Sequence, residues 1–167
     1  MAFEIRPATR EDIPDIAAVA VAAWEWAYTP FVPQEIMARF TDVPSRAERM
    51  ADKWTDFTLR LAAVDEGQVI GFAFEGFPPG LEGWDAEIAS LYVHPASAGC
   101  GVGGELVRAM AREFVVRGAG TMCIHTLVGN TIGRGFYEKM GGTKVADASW
   151  MALPSLWYGW RDIKPLV

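Results

Sequence analysis

Apolar residues recur along this chain with two different spacings, and both spacings have a structural meaning. Phe3 and Ile5 alternate with polar neighbours, which predicts a short strand over residues 3–7. Further on, one helical face is predicted from the spacing of Ile13, Ile16, Ala17, Ala20 and Trp24. Thr9 and Asp12 form a capping-box pattern, so we expect this helix to begin there or slightly later because of Pro14.

The middle of the chain predicts a broken helix followed by three strands. Residues 33–57 have helical character that is interrupted near Pro44. The segment TLRLAAVDEGQVIGFAFEGF has two β-rich runs on either side of Glu66-Gly67, a pattern typical of a hairpin. A third strand, AEIASLYV, is expected to end at His94-Pro95.

The last part of the chain predicts two helices and three strands. A glycine-rich loop, AGCGVGG, leads into a helix from about Gly104 to Arg117. MCIHTLV then predicts a strand, TIGRGFYEKM a helix, and the stretch ending in SWMALPSLWYGW two further strands. The order of strand, helices, three strands, helix, strand, helix and two strands indicates a mixed α/β fold.

Composition narrows the class of protein. With 167 residues and 51% hydrophobic content, the chain is expected to form a single domain over residues 1–167. A net charge of -6 without a basic cluster argues against a nucleic-acid partner. Acidity of this size either attracts a cationic ligand or only keeps the protein soluble. No stretch predicts a membrane helix or secretory signal, and Cys100 and Cys123 are too few for a disulfide framework, so we expect a cytoplasmic protein without a metal site.

The glycine loop matches G-x-G-x-x-G through Gly99, Gly101 and Gly104. A dinucleotide site requires the first glycine directly after the strand, but residues 94–98 intervene here, and the following strand ends without the acidic residue that holds a ribose. A nucleoside-triphosphate loop requires a lysine where Glu105 stands. Backbone N–H groups and the helix dipole still favour an anion, and we expect a pyrophosphate-bearing ligand; the alternative is a glycine-rich turn without a ligand.

A second pattern lies on the helix that begins near residue 130. Asn130, Gly133 and Tyr137 are spaced i, i+3 and i+7 and therefore form one polar stripe. The neighbouring stripe of Ile132, Phe136 and Met140 is expected to face the core. A ligand along the first stripe explains its polarity, and a solvent-facing edge is the alternative.

The two blocks AEIASLYVHPASAGCGVGGELV and NTIGRGFYEKMGG, in this order and at this separation, resemble the GNAT superfamily of N-acetyltransferases. The resemblance covers nearly the whole chain. It implies a mixed, mostly antiparallel central sheet flanked by helices, and acetyl-CoA-dependent transfer of an acetyl group to an amine. Three positions depart from the family pattern: Ala98 stands in place of Gln or Arg, Gly133 in place of Ala, and Gly142 in place of Phe.

The resemblance also implies where acetyl-CoA binds. Backbone amides from Cys100 to Gly104 would bind the pyrophosphate, the backbone from Leu91 to Val93 would run beside the pantetheine arm, and the N–H of Val93 would polarise the thioester carbonyl. Asn130 would contact the cofactor. The complete set of expected cofactor-binding residues is Leu91, Tyr92, Val93, Gly99, Cys100, Gly101, Val102, Gly103, Gly104, Asn130, Gly133, Phe136 and Tyr137.

Acetyl transfer needs a neutral amine. An alkylamine with a pKa of about 10.4 is protonated at neutral pH, so the reaction requires a base. Glu87 is the expected base, acting through water, provided that partial burial raises its pKa; a solvated glutamate is the alternative. Tyr137 is the expected proton donor to the leaving thiol, with ordinary helix packing as the alternative. His125 is a further candidate for acceptor binding or for the base.

The acceptor is expected to lie against the first helices, as in the family, with Trp26 and Tyr28 as its wall, because aromatic faces hold cations. Glu75 and Asp85 either add negative charge or are simply solvated. The C-terminal SLWYGWRDI looks like the closing strand of small-molecule acetyltransferases, which implies a small amine or amino-acid-like acceptor. Direct transfer in a ternary complex is expected because the chain has no G-x-S-x-G elbow and no recognisable Cys-His pair. The aromatic residues of that strand, Trp157, Tyr158 and Trp160, alternatively predict a homodimer contact.

Two rival hypotheses are a protein N-terminal or lysine acetyltransferase and a non-catalytic acyl-CoA-binding regulatory domain.

Overall fold

The computed structural model describes residues 2–167 and contains a seven-stranded sheet with five α-helices. The strands are β1 (Glu4–Pro7), β2 (Arg60–Asp65), β3 (Gln68–Gly76), β4 (Ala86–Val93), β5 (Met122–Leu127), β6 (Thr143–Trp150) and β7 (Leu153–Trp160). The helices are α1 (Ile13–Tyr28), α2 (Gln34–Phe40), α3 (Val43–Asp52), α4 (Val102–Val116) and α5 (Thr131–Lys139). The sheet order is β1-β2-β3-β4-β5-β7-β6, and only β4 and β5 pair in parallel, so the expected mostly antiparallel sheet is confirmed.

The start of α1 follows the sequence closely. Thr9 and Asp12 form the capping box around a short 3-10 turn, and α1 then begins at Ile13 with Pro14 in its first turn, where proline's missing N–H costs nothing. All five residues of the expected apolar face are buried: Ile13, Ile16, Ala17, Ala20 and Trp24. This face anchors α1 on the sheet.

Turn and cap residues fix the other early elements. Glu66 and Gly67 both have positive φ, 48° and 83°, as a two-residue hairpin turn requires, and the β2–β3 hairpin is confirmed. The break in the second helical region lies at Thr41-Asp42. Asp42 caps α3 by accepting a hydrogen bond from the amide of Ser45 at 3.0 Å, and Pro44 sits in the first turn of α3.

The sheet is covered on both faces. On one face, α4 buries Leu106, Met110 and Phe114, the residues expected from its periodicity, although α4 begins two residues earlier than predicted, at Val102. On the other face, α1 and α3 pack with Phe72 and Phe74 of β3. Within residues 2–167, no helix has both the length and the apolar character needed to cross a membrane.

The predicted core stripe of α5 is wrong at its first residue. Ile132 is 50% exposed, whereas Tyr137 is only 6% exposed and belongs to the core. The rotation of α5 is set by Tyr137, which packs against the rings of Tyr158 and Trp160 on β7. Short helices are oriented by such distant contacts, which their own periodicity does not reveal.

The C-terminal aromatic residues close this core. Tyr158 and Trp160 are 1% and 4% exposed, so these two side chains are packing residues and are not accessible for the dimer contact that the sequence suggested. The indole of Trp160 also fills the space over Gly142, where an added Cβ would lie 2.7 Å from Cζ2. An indole from β7 therefore occupies the space beside Gly142.

A split between β4 and β5 creates room for a site. The two strands pair only from Ala86 to Ile88 on β4 and from Met122 to Ile124 on β5, and they diverge beyond these residues. β4 carries a bulge at this point, because its register with β3 shifts between Phe74 and Glu75. A bulge bends a strand and increases its twist, so the wedge-shaped gap is built into β4.

Candidate active site

A cavity of about 420 Å³ lies where β4 and β5 separate. β4 supplies Glu87, Ala89, Ser90 and Tyr92, and β5 supplies His125, Thr126 and Leu127. The other walls are formed by Trp24, Tyr28, Phe40, Arg46, Arg49, Met50, Lys53, Phe57, Phe74, Trp150 and Trp157. Three predicted residues, Glu87, His125 and Tyr28, thus meet in one cavity, whereas Trp26 is 47% exposed and does not line it.

Glu87 is held in a half-buried position on β4. Its Oε2 accepts a hydrogen bond from the amide of Gly80 at 2.6 Å, and two glycines flank the carboxylate: a Cβ at Gly76 or Gly80 would lie 3.3 or 3.2 Å from Oε2. Burial raises the pKa of Glu87, and the Gly80 amide partly offsets that rise. This is the environment that we expected of a general base.

His125 faces the same cavity from β5. Its Nε2 lies 2.8 Å from Oγ of Ser155 on β7, and its ring packs 4.8 Å from that of Trp157. Burial lowers the pKa of His125, so the imidazole is kept neutral. A neutral imidazole can bind an acceptor or accept a proton.

Tyr28 and Tyr92 line the cavity, and Tyr137 lies near both but in the core, outside the cavity lining. Trp24 donates its indole N–H to the hydroxyl of Tyr92 at 3.0 Å, and the Tyr28 hydroxyl accepts from Nδ2 of Asn130 at 3.2 Å. Burial raises the pKa of both Tyr137 and Tyr28, and the nearby phenol of Tyr92 adds to each rise. The hydroxyls of Tyr28 and Tyr137 therefore stay protonated at physiological pH and are available as donors.

Asn130 is more tightly held than the sequence suggested. Its Oδ1 accepts from the amide of Gly133 at 3.0 Å as the cap of α5, while Nδ2 also donates to Oγ1 of Thr126 at 3.1 Å. A Cβ at Gly133 would lie 2.5 Å from Nδ2, so an Ala at this position would have to displace the Asn130 amide. The hydrogen bonds of Asn130 to Gly133, Thr126 and Tyr28 therefore fix the end of β5 and the start of α5 relative to α1.

The glycine loop presents free amides at the start of α4. Gly99 and Gly101 have positive φ, 79° and 87°, and no atom lies within 4 Å of a Cβ built on either one. The first helical hydrogen bond is donated by Glu105 to Gly101, which leaves the amides of residues 101–104 without an intrahelical acceptor. The amide of Cys100 differs, because it donates to the carbonyl oxygen of Ser97 at 3.4 Å. Four free amides, those of residues 101–104, therefore remain of the five that were expected to bind a pyrophosphate.

The exposed edge of β4 adds two further amides. His94 donates its N–H to Ile70 on β3 at 2.8 Å, and backbone N–H groups alternate in direction along a strand. The N–H groups of Leu91 and Val93 therefore point away from β3, into the gap left by β5. Gly103 lies beside this edge, since a Cβ there would contact both Phe136 at 3.3 Å and Val93 at 3.6 Å. The loop, β4 and α5 thus lie side by side, and their open glycines and free amides fit an elongated ligand with a phosphate end.

The sequence did not reveal the basic wall of the cavity. Arg46, Arg49 and Lys53 are spaced i, i+3 and i+7 along α3, and this spacing was the available signal. The guanidinium carbon of Arg46 lies 5.7 Å from the ring centroids of Trp24 and of Phe40. A protein cation therefore already covers the rings of Trp24 and Phe40.

The two acidic residues proposed to add negative charge lie elsewhere. Glu75 is 6% exposed and pairs with Arg117 at 2.8 Å, so it is neither solvated nor free. Asp85 accepts from the amides of Gly120 at 2.8 Å and Thr121 at 2.9 Å. Glu87 is consequently the one carboxylate among the residues that line the cavity. Within residues 2–167, no cluster of His, Cys, Asp and Glu side chains could hold a metal ion.

Comparison with known proteins agrees with this geometry. The profile of the Acetyltransferase (GNAT) family matches residues 19–142, well over half of the chain. The chain is 26% identical to the uncharacterized N-acetyltransferase YuaI of Bacillus subtilis over 170 residues, covering 97% of this chain and 95% of that protein. The chain belongs to the GNAT family of acetyltransferases.

Solved structures share its fold. The PaiA N-acetyltransferase of Thermoplasma acidophilum, in complex with coenzyme A, superimposes with a TM-score of 0.76 at 19% identity, covering 96% of this chain and 100% of that one. The putative acetyltransferase yncA of Salmonella typhimurium, with acetyl-CoA, gives a TM-score of 0.72 at 20% identity, covering 98% and 95%. At these identities the similarity establishes the architecture.

Proposed function

We propose that this GNAT acetyltransferase transfers the acetyl group of acetyl-CoA directly to the primary amine of a small molecule bound in the 420 Å³ cavity. The observation that carries this proposal is the meeting of a half-buried carboxylate, Glu87, with the amide-lined gap between β4 and β5. Acetyl-CoA supplies an activated acetyl thioester when bound. The residues of this chain would bind both substrates and move the protons.

The cofactor would be held mainly by the backbone. The amides of residues 101–104, at the positive end of the α4 dipole, would bind the pyrophosphate. The outward N–H groups of Leu91 and Val93 would hold the pantetheine arm and stabilise the charge that develops on the acetyl oxygen. Phe136 packs beside Gly103 and would border this arm, with Gly99, Cys100 and Val102 completing the loop. Asn130 and Gly133 would act by fixing the start of α5.

Two residues would handle the protons. The N–C bond forms as the C–S bond breaks, so one proton must leave the amine and one must reach the sulfur. Glu87, whose pKa is raised by burial, would take the amine proton through water. Tyr137, whose pKa is raised by burial, would remain a phenol and donate its proton to the thiolate.

The cavity favours a small acceptor over a protein substrate. Its volume lies within the roughly 300–1,000 Å³ typical of small-molecule sites. Trp24, Phe40 and Trp150 stack on one another at its edge, with ring centroids 4.5 to 5.9 Å apart, and restrict the space for a polypeptide.

Titration with acetyl-CoA and an amine-panel assay that follows released thiol would test this function. A Tm rise on adding acetyl-CoA reports cofactor binding, since a ligand at about 100 times its Kd stabilises by about 2.7 kcal/mol. Turnover of small amines is expected, and Tyr137→Phe and Glu87→Gln should each lower kcat by roughly 10²- to 10⁴-fold while acetyl-CoA still raises Tm. Glu113→Gln, on the exposed face of α4, is the charge-matched control.

Each contrary outcome identifies a rival hypothesis. Cofactor binding without any turnover would favour a regulatory acyl-CoA-binding domain. Turnover of peptides alone would favour a protein N-terminal or lysine acetyltransferase. Unchanged rates in both Tyr137→Phe and Glu87→Gln would refute the two assigned roles.

A further inference from the structure

The cavity holds more positive than negative charge, although the whole chain carries a net charge of -6. Arg46, Arg49 and Lys53 line it from α3, and Glu87 is its one lining carboxylate. An amine that carried only positive charge would meet three cations on entering. The charge distribution is therefore unfavourable for a polyamine and favourable for an acceptor that also carries an anion.

These cations are not committed to carboxylates of the protein. None of the five ion pairs formed by residues 2–167 includes Arg46, Arg49 or Lys53. Arg49 donates to the carbonyl of Arg39 at 2.7 Å, and Arg46 has a single long contact, 3.4 Å, with the carbonyl of Phe40. Most of their donors remain available to a ligand, and a guanidinium presents five of them in a planar fork suited to a carboxylate.

The basic row lies beside the point of transfer. Its three residues span about 10 Å along α3, given a rise of about 1.5 Å per residue. At one end, Arg46 lies 5.8 Å from the ring of Tyr92 on β4. Arg49 and Lys53 line the same cavity as Tyr92 and Glu87. The row is therefore part of the wall around the space where the amine must be placed.

Arg46 is also preorganised. It lies over the rings of Trp24, Phe40 and Tyr92, at 5.7, 5.7 and 5.8 Å. Rings that hold a guanidinium in place reduce the entropy lost when it binds an anion. The same rings supply an apolar surface beside the charge, which suits an acceptor with a hydrophobic side chain.

We propose, on the basis of the function proposed above, that the acceptor is an amine bearing a carboxylate, namely a free α-amino acid with an apolar side chain, and that Arg46 with Arg49 and Lys53 binds its carboxylate. The amine then lies towards Glu87, and the side chain packs among the aromatic residues. In this arrangement the cations of α3 determine specificity and take no part in the proton transfers.

Matched pairs of acceptors would test this proposal. We compare L-phenylalanine and L-methionine with their amides, which keep the amine and lose the anion, and with a phosphonate analogue, a polyamine and a lysine peptide. The amino acids should exceed their amides in kcat/KM by roughly 10- to 100-fold, the value of a hydrogen-bonded charge. A preference for the phosphonate would assign a different anion to the same residues, whereas a preference for the amide, polyamine or peptide would overturn the proposal.

Variants locate the effect. Arg46→Gln should remove most of the preference for the amino acid over its amide and leave the Tm shift with acetyl-CoA intact. Arg112→Gln, on the exposed face of α4, makes the same change in net charge and should leave the preference for the amino acid unchanged. An equal loss for acid and amide in Arg46→Gln would show a packing role and contradict the proposal.

A binding measurement separates this proposal from the catalytic one. Calorimetric titration with N-acetyl-L-phenylalanine and its amide should show tighter binding of the acid to the wild type, and this difference should be lost in Arg46→Gln. If no amine is acetylated but this difference is found, the assignment of catalysis fails and the anion site stands. If the two compounds bind equally, the anion site fails even when acetylation is observed.

Discussion

At the scale of single residues, the site depends on carboxylate and imidazole groups whose pKa values move in opposite directions from their ordinary positions. Burial raises the pKa of Glu87 and lowers the pKa of His125, so the two pKa values move towards each other. A base must be deprotonated to act. The acid limb of a pH–rate profile therefore cannot by itself identify which of the two groups accepts the proton.

Substitution can distinguish these two groups. With Glu87 as the base, kcat/KM should fall as pH falls through a pKa higher than that of a free glutamate, and Glu87→Gln should lower the rate and abolish this limb. His125→Gln should keep the limb, since it removes only a contact to the acceptor. The measurement is kcat/KM from pH 5 to 9 for the wild type and both variants. A limb that disappears in His125→Gln and persists in Glu87→Gln would assign the base to the histidine.

At the scale of elements, α5 provides a matched pair of glycines. Gly133 has no room for a Cβ because Asn130 lies 2.5 Å from that position, whereas Gly135 has no atom within 4 Å. Gly135→Ala should stabilise the helix by up to about 1 kcal/mol, or roughly 2–4 °C in Tm. Gly133→Ala should instead lower Tm, because it displaces the Asn130 amide from Tyr28 and Thr126. Equal gains in Tm for the two variants would show that Asn130 moves aside without cost.

The glycine loop makes a second prediction at this scale. Gly101 and Gly67 both have positive φ and open space, so Ala at either position should cost roughly 1–2 kcal/mol of backbone strain. Only Gly101 lies in the loop that starts α4. Where the free loop relaxes out of the strained conformation, acetyl-CoA must restore it, so Gly101→Ala should weaken acetyl-CoA binding, measured by calorimetry, by up to roughly 5- to 30-fold. Gly67→Ala should lower Tm comparably and leave Kd unchanged, and a similar loss of affinity in both would contradict the assignment of this loop.

The elements themselves were largely predictable because their signals are local. The Glu66-Gly67 turn, the cap at Thr9 and Asp12, and the apolar face of α1 each depend on residues within a few positions of one another. The rotation of α5 depends on Tyr158 and Trp160, which lie more than twenty residues further along the chain than the start of α5, and its exposed Ile132 was predicted wrongly. The basic wall escaped prediction for a similar reason: its spacing on α3 is local, but its position over Trp24 and Tyr92 is tertiary.

At the scale of the whole molecule, the site is a consequence of topology. β4 and β5 are the one parallel pair in an otherwise antiparallel sheet, they separate after three paired residues, and helices from both faces reach the opening. The α4–α5 side brings free amides and Tyr137, while the α1–α3 side brings aromatic rings and cations. In the proposed reaction, the thioester ligand and its acceptor would approach from opposite faces of one sheet and meet at the split, the arrangement that direct transfer requires.

Acid stability is the last prediction, because one carboxylate joins the first strand to the first helix. Asp12 accepts from Arg6 at 2.7 and 2.8 Å and from the amide of Thr9 at 2.7 Å, and the Arg6 guanidinium, with the Thr9 amide, lowers the pKa of Asp12 to about 2. A lowered pKa contributes stability above the ordinary value near 4, and this contribution is lost as pH falls towards 2. Asp12→Asn should cost at most about 2 kcal/mol at pH 7, since Arg6 is partly screened by water. Urea unfolding at pH 7, 4 and 3 should show this difference shrinking, beside Asp15→Asn as an exposed control. A difference that stayed constant over this range would mean that the Asp12 carboxylate adds nothing through its charge.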